Sequence, residues 1–390
     1  MVRKYLEKIN LPLLSLSYFA LFSLAIVDNA KSPIYPNLLK LFSLNHNSGA
    51  WIFVLPSIMG ILATSTSSFW IKKFGIINAK RFFISILLSG TTAMIFSLNL
   101  YISFALFIIG TSMIGLSMGG MSITMNLLID EAVPAEYRRK SFSGLHSLYG
   151  LASFFAPAVL ILIIKLNYEW KQLFNFLILF PLLLFIYAYR KDFFIIKNKA
   201  HSDPNFLGEL DFKKTIPFAL MLSFYVCSEV TISSRFRVFS QHIWGINQET
   251  SNTYLALFFG FLTLGRIVFV FFETKSSNRK LLLISLAGSV IFYFLGIKTH
   301  PLFLSLIGLS MSFYFPCALD LISESFTKNL NRALPFCLNL VAIKLLATHF
   351  IIGYFTEMFG PWAIVSISLP MLLIAMLFLL KTKFVKLHQS

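Results

Sequence analysis

The stretch SFYVCSEVTISSRFRVF (223–239) is apolar in bulk yet holds Glu229, Arg235 and Arg237. Asp28 and Lys31 sit in another oily run, and Lys344 and His349 in a third. A mid-helix Asp, Lys or Arg costs roughly 2.5 to 3.5 kcal/mol on insertion scales, so such side chains face a wet cavity or a partner. Glu229 has no basic residue three or four positions away. That setting suits a carboxylate that binds and releases a proton; the alternative is a structural pair with an arginine elsewhere in the chain. Asp28 has Lys31 one helical turn on, so it is either half of a local pair or a second protonatable or substrate-binding carboxylate. Glu229 and Asp28 are the candidate proton-coupling groups.

Candidate substrate contacts follow from the same logic. At about 100° per residue, Arg237 lies about 80° round the helix from Glu229, while Arg235 points to another face and is expected to snorkel to the outer interface. Arg237 and Lys344 could hold an anionic group, and Lys344 could instead partner Glu229. Asn126 and Asn339 offer amides, and Tyr149 and Tyr225 offer rings able to stack on a sugar. His146 reads most simply as a helix-to-helix hydrogen-bonding group.

The elements that must position these residues are membrane helices. The chain has 390 residues, 57% hydrophobic and only 13% charged, against about 25% charged in ordinary soluble domains. Twelve apolar runs are long enough to span a bilayer as helices. Their limits are 11–42, 48–71, 80–99, 101–129, 141–164, 172–189, 215–243, 250–273, 281–297, 301–325, 333–357 and 361–380. Continuous runs, rather than short alternating ones, exclude barrel strands. The basic start followed by an apolar run resembles a signal peptide, but no small-residue cleavage site follows, so an uncleaved first helix is expected.

Charge sets the orientation. With the N-terminus inside, 24 of the 33 Lys and Arg fall in cytoplasmic segments, including Lys72 and Lys73 between the second and third runs and Lys80 and Arg81 at the start of the third; only Lys40, Lys165, Lys171 and Lys298 fall in external loops, and five lie within helices. Both termini are therefore expected in the cytoplasm. The net charge of +17 reflects this bias and attraction to anionic inner-leaflet lipid, not binding to nucleic acid. Cys227, Cys317 and Cys337 all lie within spans and are spaced neither for metal nor for disulfides.

The chain repeats itself weakly. Gly60 meets Gly260 and Asp28 meets Glu229 at nearly constant offset, while LIDEAVPAEYRR (128–139) meets LISESFTKNLNR (321–332), aligning Glu131 with Glu324 and Arg139 with Arg332. Two parallel six-helix halves are expected, 1–190 and 215–390, joined by a cytoplasmic linker at 191–214. Glu131, Arg139, Glu324 and Arg332 at cytoplasmic helix ends are candidate gating charges. A Gly115-x-x-x-Gly119 face permits close helix approach, and Pro33, Pro36, Pro157 and Pro316 can break spans.

These features resemble the major facilitator superfamily over essentially the whole length. DNAKSPIYP (28–36) is similar to a first-helix pattern of some members, and WIKKFGIINAKR (70–81) occupies the signature loop, with Lys72 where an acidic residue is usual. GLHSLYGLASFFAP (144–157), YVCSEVTISSRF (225–236) and GFLTLGR (260–266) resemble helices of the fucose:proton symporter-like sugar permeases, with Ala152 replacing one glycine. Those symporters carry a carboxylate four residues before an asparagine in the fourth helix; here Ser122 precedes Asn126, so that position offers no protonatable group. Thr111 and Ala156-Pro157 likewise stand where the drug antiporters have an arginine and a Gly-Pro motif.

The resemblance implies an all-α fold of 12 helices in two pseudo-symmetric halves and a secondary active transporter in the cytoplasmic membrane. It favours a sugar, moved by alternating access with protons; an organic anion or drug exporter of the same superfamily is the runner-up. A non-transporting sensor would need an output domain, and the longest loop is about 25 residues. An enzyme would show catalytic or phosphate-loop spacing, and none is present, nor is any cofactor expected. The expected partners are a small solute, protons and the bilayer; a monomer is expected.

Overall fold

Asn10 accepts a hydrogen bond from the Leu13 backbone N–H and so opens the first helix, with Pro12 in its first turn. The computed structural model describes residues 9–44, 46–101, 103–190, 210–271, 274–327 and 329–382. Most of the expected 191–214 linker lies outside the described residues. What is described is helical, as a chain must be if its backbone is to satisfy its own hydrogen bonds in hydrocarbon. Ten helical stretches among the described residues are long and apolar enough to cross a membrane, and Trp51–Ser65 is a shorter apolar one.

The chain divides into two compact units, 1–138 with 148–206, and 139–147 with 207–390. In the first unit the helices are α1 (Leu11–Asn29), α2 (Lys31–Leu41), α3 (His46–Ser65), α4 (Ser67–Phe96), α5 (Phe104–Ala132), most of α6 (Ala135–Lys165), α7 (Leu173–Leu177) and α8 (Leu179–Ala188). The first span breaks between α1 and α2 at Ala30, three residues before Pro33, which has no N–H to continue the ladder. α3 lies on α5 so closely that a Cβ at Gly115 would fall on the Pro56 backbone and one at Gly119 on the Gly60 carbonyl. Gly115→Ala is accordingly expected to destabilise the protein by about 1 to 3 kcal/mol, visible as a lower thermal midpoint in detergent.

The second span departs from the sequence expectation. It stops at Ser65 rather than 71, and α4 resumes at Ser67 and turns at Gly75 (φ 78°, ψ 162°), a conformation open to glycine. Helix therefore already covers residues 80 and 81. Lys72 and Lys73 are exposed as loop cations should be, but Lys80 is fully buried with its ammonium 3.4 Å from Ser17 Oγ, and Arg81 Nε donates to the Ala188 carbonyl at 2.9 Å. These two cations fasten α4 to α1 and to the end of α8 instead of lying in a loop.

The second unit comprises α9 (Phe212–Trp244), α10 (Gln248–Phe271), α11 (Asn278–Lys298), α12 (Leu302–Met311), α13 (Tyr314–Ser325), α14 (Leu330–Phe359) and α15 (Ala363–Lys381). Asp211 caps α9 by accepting from Lys214 N–H, and Gly245 in the left-handed region ends it. α9 is the spine, packed against α14, α15 and α10. Ser228 on α9 donates to the Ser368 carbonyl on α15, and Ser368 donates to Tyr293 on α11. Cys227, Cys317 and Cys337 are buried and free. The tenth span, expected as one run, is two helices with a turn at Ser312-Phe313. Pro316 accounts for it, having no N–H to give the Ser312 carbonyl one turn earlier.

Candidate functional site

That freed carbonyl organises the polar centre of the second unit. Arg266 on α10 donates from Nε to Ser312 O at 3.2 Å and from Nη1 to His146 O at 3.4 Å, while its own carbonyl accepts from Ser143 Oγ at 2.8 Å. So held, its Nη2 stands 3.9 Å from Glu229 Oε1. Glu229 Oε2 accepts from Tyr225 OH at 2.6 Å, one turn back on α9, and the same hydroxyl reaches Met311 O at 2.8 Å, the last residue of α12. Tyr225 is buried and stacked on Tyr314, centroids 3.8 Å apart at 15°. Glu229 is thus a carboxylate between one guanidinium and one phenol, 19% exposed where most of its neighbours are sealed. His146 sets its ring edge against Phe315, and its Nε2 is buried with no hydrogen-bond partner among the described residues.

Among the described residues the cation beside Glu229 is Arg266 and not Lys344. Lys344 lies over the Phe224 ring, 3.0 Å from its centroid, and Cys227 faces it together with Thr348. Asn339 is half-buried on the same helix. The side chains of Arg237 and His349 lie outside the described residues, and Arg235 is half-buried on α9.

The first unit carries a comparable group. Lys31 Nζ donates to Asp28 Oδ1 at 2.6 Å, with the lysine 3% exposed, and the ammonium sits 5.9 Å from the Phe53 centroid. Tyr149 on α6 is hydrogen-bonded to Asn29 close to Asp28. Asp28 and Glu229 therefore each have a cation and a nearby tyrosine, though the cation is local in one case and from another helix in the other. Asn126 is buried on α5; its amide N–H donates to Ser122 O at 2.7 Å and its Oδ1 has no hydrogen-bond partner among the described residues.

At the helix ends the described ion pairs join Arg138 and Arg139 to Asp130 and Asp320. Arg138 Nε meets Asp130 Oδ1 at 2.7 Å in the first unit. In the second, Arg139 Nε is 3.4 Å from Asp320 Oδ2, Arg139 Nη1 donates to Ser276 O at 2.9 Å, and Asn278 donates to the same Asp320 oxygen at 2.7 Å. Glu131 and Glu324 are exposed, and Arg332 is half-buried at the start of α14. Removing Asp320, which is 2% exposed, strands a partly buried guanidinium. Asp320→Ala is expected to cost about 2 to 3 kcal/mol and Glu324→Ala under about 1 kcal/mol, measured by thermal unfolding in detergent.

Sequence reasoning misses Arg266, Asp320 and Asp130 as site residues. For the first two the signal is present: each is a charge inside an apolar run, which the cost of membrane insertion should flag by itself. Asp130 lies beside Glu131, and only helix rotation decides which of the two meets Arg138.

A family model described as the Major Facilitator Superfamily matches residues 17–331. The chain belongs to the Major Facilitator Superfamily. Members of this superfamily are transporters, and the chain is a multi-pass membrane protein with their twelve-helix fold, α3 and α6 completing the set of spans. Solved structures agree over nearly the whole length. A proton:xylose symporter bound to 6-bromo-6-deoxy-D-glucose is similar at TM-score 0.76 and 15% identity, covering 95% of each chain. An E. coli fucose:proton symporter is similar at 0.71 and 15%, covering 95% of this chain and 98% of that one. The human organic anion transporter TETRAN is similar at 0.67 and 12%, covering 94% and 99%. At such identities the likeness is one of fold. No curated protein matches the sequence significantly.

Proposed function

We propose that this superfamily member is a proton-coupled secondary transporter of a small polar solute, a sugar by preference, working by alternating access in the cytoplasmic membrane with both termini inside. The observation that carries the reading is Glu229 held between Arg266 and Tyr225 in the middle of a long span. Deprotonated, the carboxylate draws on the guanidinium and accepts the phenol. Protonated, it loses the charge that attracts Arg266, whose remaining bonds go to Ser312 O and His146 O. His146 and Ser143 lie in the nine residues of α6 that belong to the second unit, whereas the rest of that helix belongs to the first. Proton binding at Glu229 thereby bears on α6, a helix with residues in each of the two compact units; the two halves are taken as 1–190 and 215–390 around the 191–214 linker.

Asp28 is the second carboxylate of the scheme. Its pairing with Lys31 neutralises it in this state, as Arg266 neutralises Glu229. Two neutralised pairs fit an uncharged polyol better than an anion, with Asn126, Asn339 and Tyr149 as its contacts, while Tyr225, buried against Tyr314, serves Glu229 instead. Arg139 with Asp320, and Arg138 with Asp130, act as the gating pairs; Glu131, Glu324 and Arg332 serve as peripheral charges. The protein works as a monomer and needs no cofactor.

A second reading has its own observation. Lys344 rests on an aromatic ring, with no carboxylate at ion-pair distance among the described residues, so an organic anion would find a cation there. Proteoliposomes with an inward proton gradient, offered a panel of radiolabelled sugars and organic acids, separate the two. Accumulation of a sugar that persists in Lys344→Gln supports the first reading. Accumulation confined to carboxylates and lost in Lys344→Gln supports the second, and absence of proton-driven uptake of anything refutes coupling.

A further inference from the structure

At one end of the first unit a cavity of about 360 Å³ opens between the start of α1 and the end of α8. Its walls divide by chemistry. Leu11 and Leu14 form an apolar side, while Ser15, Tyr18, Tyr187 and Arg190 bring three hydroxyls and a guanidinium to the other. Ser15 Oγ and Tyr187 OH share a hydrogen bond of 2.6 Å, which fixes the polar side, and the Arg190 guanidinium lies 5.7 Å from the Tyr187 ring centroid. Arg81 adds a second cation next door, 5.3 Å from the Tyr189 ring centroid. No acidic residue lines the cavity among the described residues.

The surroundings say what belongs there. Leu179, Leu182, Leu183 and Ile186, on the α8 surface, are 41 to 58% exposed, the condition of side chains that face acyl chains. Tyrosines and arginines at the end of such a surface mark the level of the lipid headgroups. In the sequence Arg190 is followed by three further cations, Lys191, Lys197 and Lys199. A soluble anion would be served by the guanidinium but not by the leucines.

We infer that the cavity is a binding site for one anionic glycerophospholipid of the inner leaflet, its phosphate on Arg190 and the Ser15, Tyr18 and Tyr187 hydroxyls and its first methylenes on Leu11 and Leu14. The inference concerns none of the groups assigned to transport and stands or falls without them. An elementary charge near the membrane surface is worth about fivefold in lipid affinity, which sets the effect to look for.

The test is native mass spectrometry of the full chain in detergent, titrated with phosphatidylglycerol or phosphatidylcholine. A one-to-one phosphatidylglycerol adduct that outlasts the phosphatidylcholine adduct is expected. Arg190→Gln should weaken it about fivefold, and Ser15→Leu, which fills the mouth without touching the charge, should weaken it as well. Lys171→Gln, a cation at the other end of the unit, should leave it unchanged. Equal retention of the two lipids, an adduct indifferent to both cavity variants, or displacement by millimolar inorganic phosphate would each overturn the inference. The last outcome would make it a site for a free anion.

Discussion

Glu229→Gln is expected to abolish uphill accumulation of the transported solute while leaving downhill exchange intact. With one proton per solute, a gradient of one pH unit sustains about tenfold accumulation, because 1.4 kcal/mol is a factor of ten. Glutamine keeps the shape and can still accept from Tyr225 OH, so the helix contacts persist, but it cannot take a proton. The accumulation ratio should therefore fall from about ten to about one while solute counterflow continues. Full gradient-driven accumulation in Glu229→Gln would move the coupling elsewhere, with Asp28 next in line. Loss of counterflow as well would assign Glu229 to solute binding.

The second large effect concerns its partner. Arg266→Met is expected to lower stability by about 2 to 4 kcal/mol, because it leaves Glu229 without its cation and returns Ser312 O to the unsatisfied state that Pro316 created. Arg266→Lys should rescue little of this, since a compact ammonium lacks the planar fork whose separate nitrogens reach two carbonyls and a carboxylate at once. The double variant Glu229→Met/Arg266→Met should recover the part of the loss that comes from the unpaired carboxylate, but not the part from the stranded carbonyls, and none of the coupled transport. Thermal unfolding of the four proteins of this double-mutant cycle gives the interaction energy directly. A pair that adds independently, with no coupling, would show that Arg266 serves the carbonyls alone.

The contrast between Glu229 and Asp28 shows how far a sequence carries such an argument. Lys31, one turn from Asp28, makes a local pair legible, and the structure contains it at 2.6 Å. Nothing within a turn of Glu229 could identify its partner. Mid-span cations compete for that role by tertiary position alone, and Arg266 holds it because two carbonyls, one freed by a proline on another helix, anchor its guanidinium within reach. The charges at the helix ends follow the same rule. LIDEAVPAEYRR and LISESFTKNLNR align by type, yet the carboxylates that meet Arg138 and Arg139 are Asp130 and Asp320. Lys80 is the opposite case, a cation whose neighbours in sequence suggest a loop and whose helix carries it into the interior.

The amino-acid sequence by itself determined that this chain is a bundle of membrane helices, because about 20 apolar residues in a row have no other stable state in hydrocarbon. It also determined where the expensive polar groups lie along each span. Tertiary structure alone decided which of those groups meet: Arg266 with Glu229 and Asp320 with Arg139, with Tyr225 bridged to a broken helix and Lys80 set against Ser17. The physical reason is one of range. Span formation is a local balance between each residue and its solvent, readable residue by residue. An ion pair or a shared carbonyl depends on helix rotation and depth to within an ångström or two, which packing of the whole unit sets.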